Sequence, residues 1–270
     1  MRVHRRGTVG CAVLLVATLL DGCAAWRPPS PHRPPDTLPS VAQLDAALAQ
    51  RRSALQGLRA LARLRYTDGT DTTSARQALV IARPDRVRVE VLSMLGAVFL
   101  LVADHGQLSA YVRDEHTVYR GAASPRNLAR YARIGLPIEA LVDLLLATPV
   151  AGDGRRRAEV SFDPQRDAVL LQRTSDGDTY RVWFSDQVLP VAAELCDPAG
   201  ETAWRARFEE YREAGGLAVA THVTVELPAS AQAMDLVLQD VDVNPRVDPA
   251  IFALQVPPGS RLVELPGVAD

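Results

Sequence analysis

The hydrophobic pattern of the chain changes period several times, and each change marks an element. Val41, Leu44, Leu48 and Leu55 recur at helical spacing behind Ser40, a residue type that caps helix starts. Arg51 and Arg52 interrupt this stripe one turn before its end, and Gly57 reads as its stop. From there the period drops to two. Leu58, Ala60, Ala62, Leu64 and Tyr66 alternate with Arg59, Arg63 and Arg65, and Leu61 falls out of pattern. That alternation predicts a half-buried strand. Short strands follow over 74–82, 87–91, 97–103, 107–113 and 117–119, separated by Gly, Pro and Asp turns. A second series covers 158–162, 168–173, 179–184, 189–196, 202–212, 217–227 and 231–243. Spacing of this kind predicts one large antiparallel sheet or open barrel.

Two helical pieces separate the series. Ser124-Pro125 caps and starts the first, which runs to Arg133 and breaks at Gly135. Pro137 opens the second, Ile138 to Ala147, ended by Thr148-Pro149. Leu141, Val142, Leu144, Leu145 and Leu146 make this helix apolar nearly all round, so it needs cover on more than one side. A short helical turn is expected over 248–252.

The N-terminal region follows a different logic. Arg2, His4, Arg5 and Arg6 precede an apolar run from Gly10 to Leu20, then Leu20-Asp21-Gly22-Cys23. A basic start, a short apolar core and a small residue at the cut predict a secretory signal over 1–22. The apolar run is far below the ~20 residues of a spanning helix. Cysteine directly after the small residue resembles the lipobox of bacterial lipoproteins, although Asp21 departs from it. The resemblance implies that Cys23 is acylated and becomes the first mature residue. Ala24 after it resembles the outer-membrane sorting pattern, so the outer membrane, with the domain facing the periplasm, is the expected location. A plain secretory signal with a chance cysteine is the competing reading. Residues 23–39 then comprise the acylated Cys23 and a proline-rich tether over 24–39. Its six prolines exclude a helix, and sixteen residues at ~3.1 Å each reach roughly 50 Å. Residues 40–270 are expected to form a single β domain.

Composition narrows the chemistry. Removing Arg2, Arg5, Arg6 and Asp21 leaves 27 basic and 31 acidic residues, so the net charge moves from -2 to -4. No basic excess is left to neutralise phosphates, which argues against nucleic acid as a partner. Every basic residue is Arg, which excludes a catalytic lysine. Cys196 is the only other mature cysteine; it sits in an apolar strand without an activating neighbour and reads as a buried thiol. There is no Gly-x-Ser-x-Gly elbow, P-loop or His-Glu-x-x-His motif. His32, His105, His116 and His222 lack companions at ligand spacing. Asp240-x-Asp242-x-Asn244 opens like a calcium loop, but Pro245 stands where that loop needs Gly. The chain is read as a non-enzyme without metal or cofactor. Its 5% aromatic content leaves a core of Leu, Val and Ala.

With these parts in order, residues 40–256 resemble the LolA/LolB class of periplasmic lipoprotein carriers and receptors. The resemblance is carried by Val91-Leu92-Ser93-Met94-Leu95-Gly96 before a strand, and by Arg133-Ile134-Gly135-Leu136-Pro137-Ile138 followed by the Leu-rich helix. Met94 replaces the turn proline of LolB-like proteins, and Ala147-Thr148-Pro149 replaces their Gly-x-Pro. The resemblance implies a strongly curved antiparallel half-barrel with an N-terminal helix and a mid-chain helical lid or plug. It implies a concave face that binds acyl chains of a lipid or lipoprotein, with Leu141, Leu144 and Leu145 facing the ligand. It also implies an exposed apolar tip at Met94 and Leu95, and a monomer. Two bland readings stay open: Leu95 folded back on the core, and the helix as ordinary packing. The alternative function is an accessory lipoprotein that binds another envelope protein and carries no lipid.

Overall fold

The structure, a computed structural model, describes residues 37–94, 96–150 and 157–266, all within a compact unit that begins at Pro34. It starts with helix α1 (Val41–Ala54). Ser40 caps it with a reciprocal box: the Ser40 hydroxyl accepts from the Gln43 amide at 3.3 Å, and the Gln43 side chain accepts from the Ser40 amide at 2.8 Å. The helix stops at Leu55, two residues before Gly57, which instead opens the first strand. A Cβ on Gly57 would lie 2.4 Å from the Ile81 carbonyl oxygen, so only glycine lets the strands approach there.

Six strands follow as a meander: β1 (Gly57–Asp68), β2 (Asp71–Ala82), β3 (Arg86–Ser93), β4 (Gly96–Asp104), β5 (Gln107–Val112) and β6 (Thr117–Ala122). Helices α2 (Pro125–Tyr131) and α3 (Ile138–Leu145) come next. A second meander runs through β7 (Arg157–Asp163), β8 (Ala168–Ser175), β9 (Asp178–Phe184), β10 (Pro190–Cys196), β11 (Thr202–Ala214), β12 (Leu217–Leu227) and β13 (Gln232–Val243). The last strand, β14 (Arg261–Glu264), lies parallel to β6 and has no counterpart in the sequence pattern. At four residues it is too short to display a period.

All fourteen strands belong to one open sheet in the order β14-β6-β5-β4-β3-β2-β1-β13-β12-β11-β10-β9-β8-β7. The first meander walks outward from β1 and the second walks back to it. The chain therefore has to travel from β6, beside one edge, to β7 at the other. Helices α2 and α3 are that crossover, and they lie on the concave face of the half-barrel. Bulges bend the strands. In β13 Asp240, at φ 51°, is an extra residue opposite Ala60 of β1, and β4 carries another irregularity just beyond its tip.

The core lies between the sheet and the helices. Leu44 of α1, Leu128 of α2 and Ile138, Leu141, Val142, Leu144 and Leu145 of α3 pack on the inward residues of both meanders. At eight residues α3 is too short to be stable alone, so its burial sustains its helicity. Each fully buried Leu or Val contributes about 1.5–3 kcal/mol. The outer face of the first meander has its own cover. Phe252, in the turn Pro249–Phe252, packs with Leu254 on Val80, Val102 and Val118. Leu61, the residue out of pattern, points outward and is exposed.

The calcium-like residues do other work. Asp242 pairs with Arg59 across β1 and β13 at 2.8 Å. The Asn244 side-chain oxygen accepts from the amides of Gln56 at 2.8 Å and Gly57 at 3.2 Å, and its amide nitrogen donates to the Ala54 carbonyl at 2.8 Å. Asn244 thus ties the end of β13 to the α1–β1 junction. Asn244→Ala is expected to cost about 1–2 kcal/mol in urea unfolding, from lost hydrogen bonds at a helix end. Asn244 has φ 50°, so Asn244→Gly separates the side-chain loss from backbone strain.

Candidate functional site

The strand registers place several turns at one end of the half-barrel. Asp68 faces Asp71, Ser93 faces Gly96, and Asp68 faces Gln232. The β1–β2, β3–β4 and β5–β6 hairpin tips and the start of β13 therefore share one rim. α2 runs toward that rim and α3 runs away from it. Their connection, which includes Arg133 and Gly135, closes over the Tyr66 end of β1: the Arg133 guanidinium lies 5.8 Å from the Tyr66 ring centre.

Beneath this connection is a cavity of about 770 Å³. Its floor is the inward face of β2, β3 and β4, including Leu79, Val87, Val89, Val91, Phe99 and Leu101. Its roof includes Leu128 and Ile134 on the α2 side and Ile138, Leu141 and Leu145 of α3. The cavity deepens into apolar surface and ends at a polar mouth. Tyr119 and Tyr131 stack there with ring centres 5.1 Å apart, and the Tyr119 hydroxyl donates to Glu115. Burial raises Tyr66 and Tyr131 above the usual phenol range, and the hydrogen bond to Glu115 raises Tyr119. All three stay neutral, so the charges of the mouth are Arg130 and Arg133 against Asp68, Asp71 and Glu115.

The opposite end of the helical layer is fastened by charge. Asp143 of α3 is buried and pairs with Arg83, from the β2–β3 turn, and with Arg52 of α1, the latter at 2.5 Å. Arg83 also donates to the Leu55 carbonyl at 3.0 Å and to the Thr148 hydroxyl. Arg51 donates to the carbonyls of Ala147 at 2.9 Å and Ala218 at 2.7 Å, and lies 5.3 Å from the Tyr211 ring centre. Burial lowers both Arg51 and Arg83 from the ordinary guanidinium value. The two arginines that break the apolar stripe of α1 are thus its ties to α3. Nothing in the linear sequence pairs Arg83 with Asp143, sixty residues apart.

Of the residues expected to face ligand, Leu141 and Leu145 line the cavity together. Leu144 points to the other flank of α3, because one position along a helix turns about 100°. Met94 is fully exposed at the rim, on the β3–β4 tip with the exposed Leu92 beside it. Leu95, Cys23 and His32 lie outside the described residues. The cavity residues of β2 to β4 were visible in the sequence only as one face of alternating strands. Tyr66 was visible as an inward strand residue and Arg133 as part of a motif, but their meeting with Tyr119 and Tyr131 at one mouth carried no signal, since it is made only after the crossover.

Among the described residues no three His, Cys, Asp or Glu side chains are grouped to hold a metal. Cys196 is buried, and burial first and Glu194 second push its thiol up, away from thiolate chemistry. No described helix is long and apolar enough to cross a membrane.

An open antiparallel half-barrel roofed by a helical crossover is a known architecture. The chain aligns with a DUF1329 family protein from Desulfovibrio piger at a TM-score of 0.54 and 16% identity, covering 80% of this chain and 98% of that one. It aligns with a domain from Vibrio parahaemolyticus assigned to outer membrane lipoprotein sorting, at a TM-score of 0.51 and 12% identity, covering 78% and 95%. A LolA superfamily protein from Nitrosomonas europaea aligns at 0.49 and 13% identity, covering 80% and 99%. No protein-family model matches the sequence, and no curated protein matches it. The chain shares its fold with the Desulfovibrio and Vibrio proteins.

Asp143→Ala leaves the buried Arg83 without a counter-ion and is expected to cost about 3–5 kcal/mol, read as a lower urea midpoint. Arg52→Ala is the comparison. Its side chain is 40% exposed, so its loss should cost under about 1 kcal/mol.

Proposed function

We propose that this protein is a membrane-anchored lipoprotein whose half-barrel takes up acyl chains of lipids or lipoproteins. In this reading Cys23 carries the lipid anchor and the proline-rich tether holds the domain off the outer membrane on its periplasmic side. The role is in lipoprotein localisation to, or assembly at, that membrane. The observation that carries the reading is the unfilled apolar cavity of about 770 Å³ beneath α2 and α3. A volume of this size is ordinary for a ligand site, and burial of each methylene contributes ~0.8 kcal/mol. Roughly sixteen methylenes give a gross gain of about 13 kcal/mol. Even after an association cost of several kcal/mol, binding near micromolar remains. An accessory protein without lipid cargo has no physical need for such a hollow. The Vibrio domain assigned to lipoprotein sorting shares the fold and supports the same reading.

The test is native mass spectrometry with lipid extraction on the chain carrying Cys23→Ser, purified without detergent. Stoichiometric acyl lipid or lipopeptide is the expected result. A clean apo mass with no uptake of a fluorescent acyl probe would overturn the reading. Val89→Trp fills the cavity from a half-buried position on its floor, and should weaken the probe about tenfold, ~1.4 kcal/mol, with the fold unchanged. For the anchor, palmitate labelling and membrane fractionation should both be lost on Cys23→Ser; retention of the label would remove Cys23 as the attachment site.

A further inference from the structure

α3 divides the concave face into two chambers. Leu141 and Leu145 face the main cavity; Ala140 and Leu144, on the opposite flank, face a second apolar chamber of about 400 Å³. The far wall of that chamber is Tyr180 of β9, Leu195 of β10 and Trp204 of β11. Tyr180 stands near the start of β9, Leu195 near the end of β10 and Trp204 near the start of β11. These are the strand ends on the same side of the sheet as the end of β12 and the start of β13, where the main mouth lies. The two chambers therefore open side by side. At the opening the partition is the stretch from Ile134 to Ile138, continued inward by α3: Ile134 and Ile138 line the main cavity, Leu136 and Pro137 the second.

Volume decides what could use both. A methylene takes about the space of one water molecule, ~30 Å³. The main cavity of about 770 Å³ then holds roughly two dozen carbons, and the second, of about 400 Å³, roughly a dozen. A membrane acyl chain has roughly sixteen carbons, enough to cross half of a ~30 Å hydrocarbon core. One such chain underfills the main cavity and two overfill it. Together the chambers hold roughly three dozen carbons, enough for two chains, with about a dozen carbons of one chain in the second chamber and its few head-proximal carbons at the opening. Charge points the same way. Arg133 stands exposed at the head of the partition and, among the described residues, stacks on Tyr66 without forming an ion pair. Asp68 and Asp71 line the main opening, while the carboxylates of the second chamber are Glu139, exposed to solvent, and Asp143, which is paired with Arg83 and Arg52.

We infer that the ligand is a two-chain anionic amphiphile that straddles the connection between α2 and α3, one acyl chain in each chamber and its head beside Arg133. This rests on the acyl-binding reading above and goes further by fixing chain number and head-group charge.

Tryptophan quenching tests the two separately. In the Cys23→Ser chain, Trp26→Phe and Trp183→Phe leave Trp204 as the single tryptophan, at the wall of the second chamber. A second variant also carries Trp204→Phe and Phe99→Trp, which reports from the main cavity. Both are titrated with phosphatidylglycerol brominated on both chains. Loss of most of the emission in both variants is the expected result. Quenching at position 99 with Trp204 unaffected would overturn the inference and leave the acyl-binding reading standing. No quenching in either variant would overturn both. Brominated phosphatidylcholine should bind several-fold more weakly; equal binding would overturn the head-group assignment to Arg133.

Discussion

The carboxylate of Asp143 holds the helical layer on the sheet. It receives Arg83 from the β2–β3 turn and Arg52 from α1, so one side chain joins three elements that are distant in sequence. A lone buried carboxylate or guanidinium would be costly in this apolar setting, and each is tolerable only because the other is present. The pair fixes the far end of α3, and among the described residues no comparable ion pair fixes the rim end. There the connection between α2 and α3 rests on ring contacts: Arg133 on Tyr66, and Tyr119 on Tyr131. The roof is thus fastened at one end by charge and seated at the other by weaker surface contacts.

That asymmetry suits a cavity that must exist without collapsing. Few aromatic residues are available to fill the interior, and the inward faces of β2 to β4 carry mainly Leu and Val. A sheet curved by bulges leaves a hollow that such side chains line but do not close. The crossover has to span the sheet because the two meanders end toward opposite edges, and its apolar helices pack on the concave face. The connectivity itself therefore places a helix roof over the hollow, and the ion pairs set its height.

Most of the fold was legible in the linear sequence. Alternation of apolar and polar residues located thirteen of the fourteen strands, and Ser40, Ser124 and Pro137 marked the helix starts. The Leu-rich helix correctly announced that it needed cover on two sides: Leu141 and Leu145 face one chamber, and Leu144 the other. Arg51 and Arg52 looked like defects in an apolar stripe, because a helical wheel cannot show that the neighbours of that face are carbonyls and a buried carboxylate.

The sequence by itself determined the elements, their order and the faces they bury, since those follow from local periodicity and capping chemistry. Only the tertiary structure decided the site. The partnership of Arg83 with Asp143, the meeting of Tyr66, Tyr119, Tyr131 and Arg133 at one mouth, and the division of the concave face by α3 all join residues far apart in the chain. Such contacts leave no periodic trace, because they depend on sheet curvature and on the path of the crossover.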